Sequence, residues 1–170
     1  MRKRGARFAR RVDNPLARLA EVRAQQRLAS VLQKDIPEQH LIDLELAWRG
    51  AFEQIRLGAG GAHEYAAMAA VTEMAIVLAQ RGIGAEQLPQ LAAGQQALAR
   101  AADRGMRLQP GGKPGDRLAF DAPGLIELRD ALDVHAAQLL IATRAEFIEA
   151  WKESLRRART WRPAEIEASA

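Results

Sequence analysis

Apolar residues recur at intervals of three and four along most of this chain, the signature of helices that bury one face. The cleanest run in the first half is Leu41, Leu44, Trp48, Phe52 and Ile55, which predicts a helix over 38–57. Before it, Asn14 and Pro15 make a cap and first-turn pair, and Leu16, Leu19, Val22, Leu28, Val31 and Leu32 predict a helix ending near Lys34. Asp35, Ile36 and Pro37 then force a corner, because the residue before a proline avoids the helical region. A third helix is expected over 62–80, with Tyr65, Met68, Ala69, Thr72, Ala75, Ile76 and Ala79 on one side. Gly82 and Gly84 should end it by adopting positive φ. A short turn over 85–88 leads through Pro89 into an alanine-rich fourth helix to about Arg104. Gly94 weakens that helix by roughly 1 kcal/mol relative to alanine.

The longest pattern comes last. Leu125, Leu128, Leu132, Ala136, Leu139, Leu140, Phe147, Trp151 and Leu155 lie on one drifting stripe, and neither Gly nor Pro interrupts 125–159. One unbroken helix on the order of 50 Å is predicted, a spine against which the others pack. Asp121 can cap it and Pro123 suits its first turn, while Lys152, Arg156, Arg157 and Arg159 sit at the end that favours cations. Between Gly105 and Gly124, the run of Pro110, Gly111, Gly112, Pro114, Gly115 and Pro123 predicts a long loop, pinned near its end by Leu118 and Phe120. The fold class that follows is all-α, a single-domain bundle of about five helices with a long C-terminal helix. A basic flexible arm is expected over 1–12, the bundle over 13–160 with its loop at 105–124, and a frayed tail over 161–170.

Composition narrows the chemistry. The 48% hydrophobic content closes a core, but aromatics are only 5%, so the core must come from close contacts between small residues. With no cysteine, disulfides, thiolate metal sites, iron-sulfur clusters and cysteine nucleophiles are excluded. The most apolar stretch, 65–79, contains Thr72 and Glu73 and is too short to cross a bilayer. The basic start is not followed by the apolar run of a secretory leader, so a cytoplasmic location and no membrane contact are expected.

The three histidines, His40, His63 and His135, have no metal-ligand spacing, and no His-Glu-x-x-His is present. His135 falls on the apolar stripe and reads as a core imidazole with a hydrogen-bond partner. Neither Gly58 to Gly61 nor Gly111 to Gly115 carries the Lys-Ser/Thr ending of a phosphate loop. Glu127, Asp130 and Asp133 read as a solvated face rather than an acid-base pair. No catalytic residue, metal site or cofactor is expected, and the chain reads as a non-enzyme.

Charge is distributed more tellingly than its total. Residues 1–34 carry ten Lys or Arg against two acids, 35–150 carry ten against sixteen, and 151–170 carry five against three. A basic start on an acidic body suits an anionic partner. Arg2, Lys3, Arg4, Arg7, Arg10 and Arg11, continued by Arg18, Arg23 and Arg27, can neutralise phosphates of a nucleic acid. Arg156, Arg157, Arg159 and Trp161 have the Arg and Trp character of protein-binding hot spots. Trp151 is expected in the core. A second copy of the chain is a further candidate to cover a projecting helix end, giving a homodimer.

The run Leu44 to Glu53, the third helix ending Ala79-Gln80-Arg81-Gly82-Ile83-Gly84, and His135 to Leu139 resemble small helical proteins encoded by phages, prophages and plasmids of proteobacteria. The resemblance spans roughly 40–150 and carries no catalytic residues. It implies a mobile-element protein that inhibits a host protein complex by binding it, as anti-CRISPR proteins do.

Overall fold

The computed structural model describes residues 15–108 and 118–160, all-helical apart from short connections. Six α-helices follow in order: α1 Pro15–Leu32, α2 Glu38–Arg56, α3 Ala62–Gln80, α4 Leu88–Leu108, α5 Ala122–Ile141 and α6 Arg144–Thr160, with one 3₁₀ turn at Ala85–Gln87. The expected arm over 1–12, the tail over 161–170 and the loop residues 109–117 lie outside the described residues.

Local chemistry explains most boundaries. Gly58 (φ 75°) and Gly82 (φ 99°) each close a helix in the left-handed region. In both cases the following residue donates back across the turn, Ala59 N to Gln54 O at 2.9 Å and Ile83 N to Leu78 O at 3.0 Å. Asp121 caps α5 by accepting from Gly124 N at 3.0 Å, with Pro123 in the first turn as expected. Its carboxyl is held below the usual range, first by that backbone bond and then by Arg104. Gly105 does not end α4. It is buried within the helix, which runs to Leu108. The chain then returns over 118–120, with Leu118 and Phe120 packed on the core and Ala119 N donating to Ala101 O.

The single helix expected over 125–159 is two helices. Ala142 is extended (φ −74°, ψ 137°), and α6 starts afresh at Arg144. No glycine or proline makes the break. Thr143 and Glu146 form a reciprocal cap instead. Thr143 N and Oγ1 both donate to Glu146 Oε2 at 2.8 Å, and Glu146 N donates to Thr143 Oγ1 at 3.3 Å. The corner between α1 and α2 supplies the rest. Arg144 N donates to Lys34 O at 3.0 Å, and Asp35 and Thr143 form an isolated antiparallel bridge. The backbone donors freed at Thr143, Arg144 and Glu146 thus find new acceptors, which removes much of the cost of breaking a helix. The Thr143→Ala variant loses both hydroxyl bonds of this cap, keeps the backbone bond from residue 143 to Glu146, and is expected to unfold about 1 kcal/mol more easily, measured by urea denaturation.

The break moves the hub of the fold. The central element is α3, which packs against α2, α4, α5 and α6. Its second half is buried all round, from Met74 through Ala79, as a helix apolar on every side must be. The break also rotates the stripe expected over 125–155. Leu128, Leu132, His135 and Leu139 of α5 are buried, whereas α6 buries Ala150 and Ser154 and leaves Trp151 and Leu155 exposed. Trp151, expected in the core, is 42% exposed.

Candidate interaction surface

The polar groups that sequence reasoning weighed for chemistry are committed to structure. His135 is fully buried, its ring tilted 57° to that of Trp48 at a centroid distance of 5.0 Å. Gln138 Nε2 donates to Ala75 O at 3.0 Å and to Ile83 O at 2.8 Å, which turns its Oε1 toward His135 Nδ1 at 3.4 Å. That orientation makes Nδ1 the protonated nitrogen and leaves Nε2 as a buried acceptor without a partner. Burial pushes the imidazole down to about 4, only partly offset by the bond to Gln138. This group ties α5 to the end of α3. The other two histidines, His40 and His63, are exposed.

On the outer face of α5, Glu127 pairs with Arg100 of α4, and Asp133 pairs with Arg49 of α2 at 3.1 Å. Asp130 lies 3.4 Å from Arg129. Among the described residues no group of three or more His, Cys, Asp or Glu is placed to hold a metal ion. A shallow concavity of about 570 Å³ beside the 3₁₀ turn is lined by Glu86, Asp130, Asp133 and the amides of Gln87, Gln90 and Gln138. No helix among the described residues is long and apolar enough to cross a membrane.

The predicted contact residues divide into three groups. Arg2, Lys3, Arg4, Arg7, Arg10, Arg11 and Trp161 lie outside the described residues, as do the side chains of Arg18 and Arg159. Arg157 is drawn into the body of the protein, whereas Arg156 stays exposed. Both bind Glu153, and Arg157 also reaches Glu73 of α3 at 2.9 Å and Gln80 at 2.7 Å, fastening α6 to α3. The two guanidiniums hold the Glu153 carboxyl well below its ordinary range. The third group is Arg23 and Arg27, exposed on α1 and without an ion pair among the described residues.

Four further cations, Lys34, Arg81, Arg107 and Arg144, join that third group, and two of them, Lys34 and Arg144, lie together. Lys34 is exposed and Arg144 half-buried, and neither makes an ion pair among the described residues, although Arg49, Arg56, Arg100, Arg104, Arg129 and Lys152 all do. The bond from Arg144 N to Lys34 O places these two residues side by side. Arg144 Nε is buried without a hydrogen-bond partner.

Apolar groups accompany this charge. Ile148, Trp151 and Leu155 of α6 are 37, 42 and 41% exposed and lie three and four residues apart on one face. Helix α1, which packs on α6, exposes Leu28 and Val31. Where α2 and α6 begin, Ile36, Pro37, Leu44, Ala47, Phe147 and Ile148 line a groove of about 480 Å³ that also includes His40, Asp43 and Arg144. The signal for this surface was present in the sequence as Thr143-x-x-Glu146, the helix-start pattern that turns Ile148 and Trp151 outward.

Compared with known proteins, the chain matches no family model, no curated protein and no solved structure, so its own geometry must carry the functional reading.

Proposed function

We propose that this chain is a non-catalytic binding protein that acts by occupying a surface of a host protein complex, in the manner of anti-CRISPR proteins of mobile elements. One observation carries the reading: the exposed row Ile148, Trp151 and Leu155 runs along α6, the helix that meets α1 and whose start sets Arg144 beside Lys34, two cations with no ion pair among the described residues. Exposed large apolar groups in register, edged by unneutralised charge, have the make-up of a protein interface rather than of ordinary surface. The resemblance to phage and plasmid proteins supplies the kind of partner.

A second reading, a nucleic-acid-binding regulator using the basic arm and α1, is favoured by Arg23 and Arg27, which stand free to neutralise phosphates. Affinity capture from a proteobacterial host lysate, with and without nuclease, separates the two. Stoichiometric recovery of one host complex that survives nuclease supports the inhibitor. Oligonucleotide binding that falls steeply between 50 and 200 mM salt, and vanishes when residues 1–11 are removed, supports the regulator.

A further inference from the structure

Resting on the binding-protein reading, we propose that the groove between the starts of α2 and α6 receives an acidic segment of the partner protein, one large apolar side chain entering the groove and a neighbouring carboxylate meeting Arg144 and Lys34. The groove walls are apolar, formed by Ile36, Leu44, Phe147 and Ile148. Its cation is the unusual part. Arg144 contributes to the groove lining, its Nε buried and without an acceptor, and it has no carboxylate partner among the described residues, whereas Arg56, Arg100 and Arg104 do. Arg144 is only half-buried and has no carboxylate partner among the described residues, so a carboxylate from outside can meet its guanidinium with a charge-assisted bond.

Two further features point to the same sign of charge. Lys34 lies directly beside Arg144 and likewise has no ion pair among the described residues. Helix α2 starts at the groove rim with Pro37 at its N-cap position, which offers no side-chain cap, and the positive end of the helix dipole, where Glu38 already stands in the first turn, favours negative charge there. The one acidic residue in the lining, Asp43, accepts from Gln39 Nε2 at 2.9 Å. The groove opens at Ile148 onto the row that continues through Trp151 and Leu155. A segment following that path alternates a groove-filling apolar anchor with acids along its cationic edge. An apolar groove suits a peptide better than a nucleic-acid backbone, whose contacts are polar and charged throughout.

The test uses the full chain and a phage-displayed library of random twelve-residue peptides. Selection on the native protein should enrich peptides that place Asp or Glu within two positions of Leu, Ile, Phe or Trp. An enriched peptide, labelled for fluorescence polarisation, should bind Arg144→Gln and Ile148→Asp at least tenfold more weakly. Arg129→Gln, a distant exposed cation, should leave binding within twofold. Enrichment of nothing, enrichment of peptides lacking acids, or equal binding by native and Arg144→Gln proteins would each overturn the proposal. So would a twelve-nucleotide single strand that displaces the peptide and itself depends on Arg144. Host-complex capture that persists undiminished with Arg144→Gln and Ile148→Asp would leave the binding reading standing and remove only the groove from it.

Discussion

Gly94→Ala is expected to destabilise the protein by about 2 kcal/mol, although alanine is the better helix former by about 1 kcal/mol. Gly94 is buried in α4 where that helix crosses α5, and an added methyl would stand 2.5 Å from Ala131 Cβ and 3.1 Å from Glu127 O. Real carbon atoms do not approach so closely, so the helices must separate, and such overpacking typically costs 1–3 kcal/mol. At the upper end of that range the clash outweighs the propensity gain. The same contact predicts its own rescue. Ala131→Gly in the same chain removes the nearer atom and should restore most of the loss, leaving only the 3.1 Å approach to Glu127 O. Chemical denaturation of the two single variants and the double variant checks this as a cycle. A Gly94→Ala protein more stable than the parent would contradict the close crossing of α4 and α5.

The second large effect is on acid stability. His135 is neutral in the fold, held at about 4 by burial, against 6.5 in an unfolded chain. Because the unfolded chain takes up the proton more readily, the stabilisation is complete above pH 6.5 and is lost as the pH falls toward 4. The linkage amounts to about 3 kcal/mol over that window. Asp121, Glu146 and Glu153 are held below their ordinary values and act in the same direction, but from 3.8 or 4.5 downward. The slope between pH 6.5 and 5 therefore belongs to His135. Urea midpoints taken across this range should decline steadily for the native protein. In His135→Leu, of similar volume and with nothing to titrate, the decline should disappear whatever the baseline stability. A native protein equally stable at pH 7 and pH 5 would mean that the imidazole is not enclosed as described.

Helices α2 and α3 were legible because their information is local. Leu41, Leu44, Trp48, Phe52 and Ile55 declare a face by spacing, and Gly58 and Gly82 mark ends where only a residue without Cβ turns easily. The Asp121 cap was legible for the same reason. The break at Ala142 was only half legible: Thr143-x-x-Glu146 is a local helix-start pattern, but inside an unbroken apolar stripe it needs a tertiary acceptor to decide it. Thr143 and Glu146 look like interior helix residues until Lys34 O, far away in sequence, arrives to accept from Arg144 N. Reading through that break carried Trp151 and Leu155 into the core and hid Arg144 and Lys34 altogether. The role of Gly94 was likewise invisible, since propensity alone reports its cost and not the helix crossing it allows. For the candidate surface, Arg23 and Arg27 were correctly placed on an exposed α1. Arg157 was read as a contact residue because nothing in its local sequence announces Glu73 of α3 as its partner.

The account rests on the face shared by α1 and α6 being where the partner sits. A photo-crosslinking amino acid at position 151, in the exposed row of α6, tests this against the same probe at position 126, exposed on α5. In nuclease-treated host lysate, position 151 should yield one discrete crosslinked protein, abolished by Ile148→Asp, and position 126 should yield none. Equal crosslinking from both positions, or crosslinking at 126 alone, would contradict it.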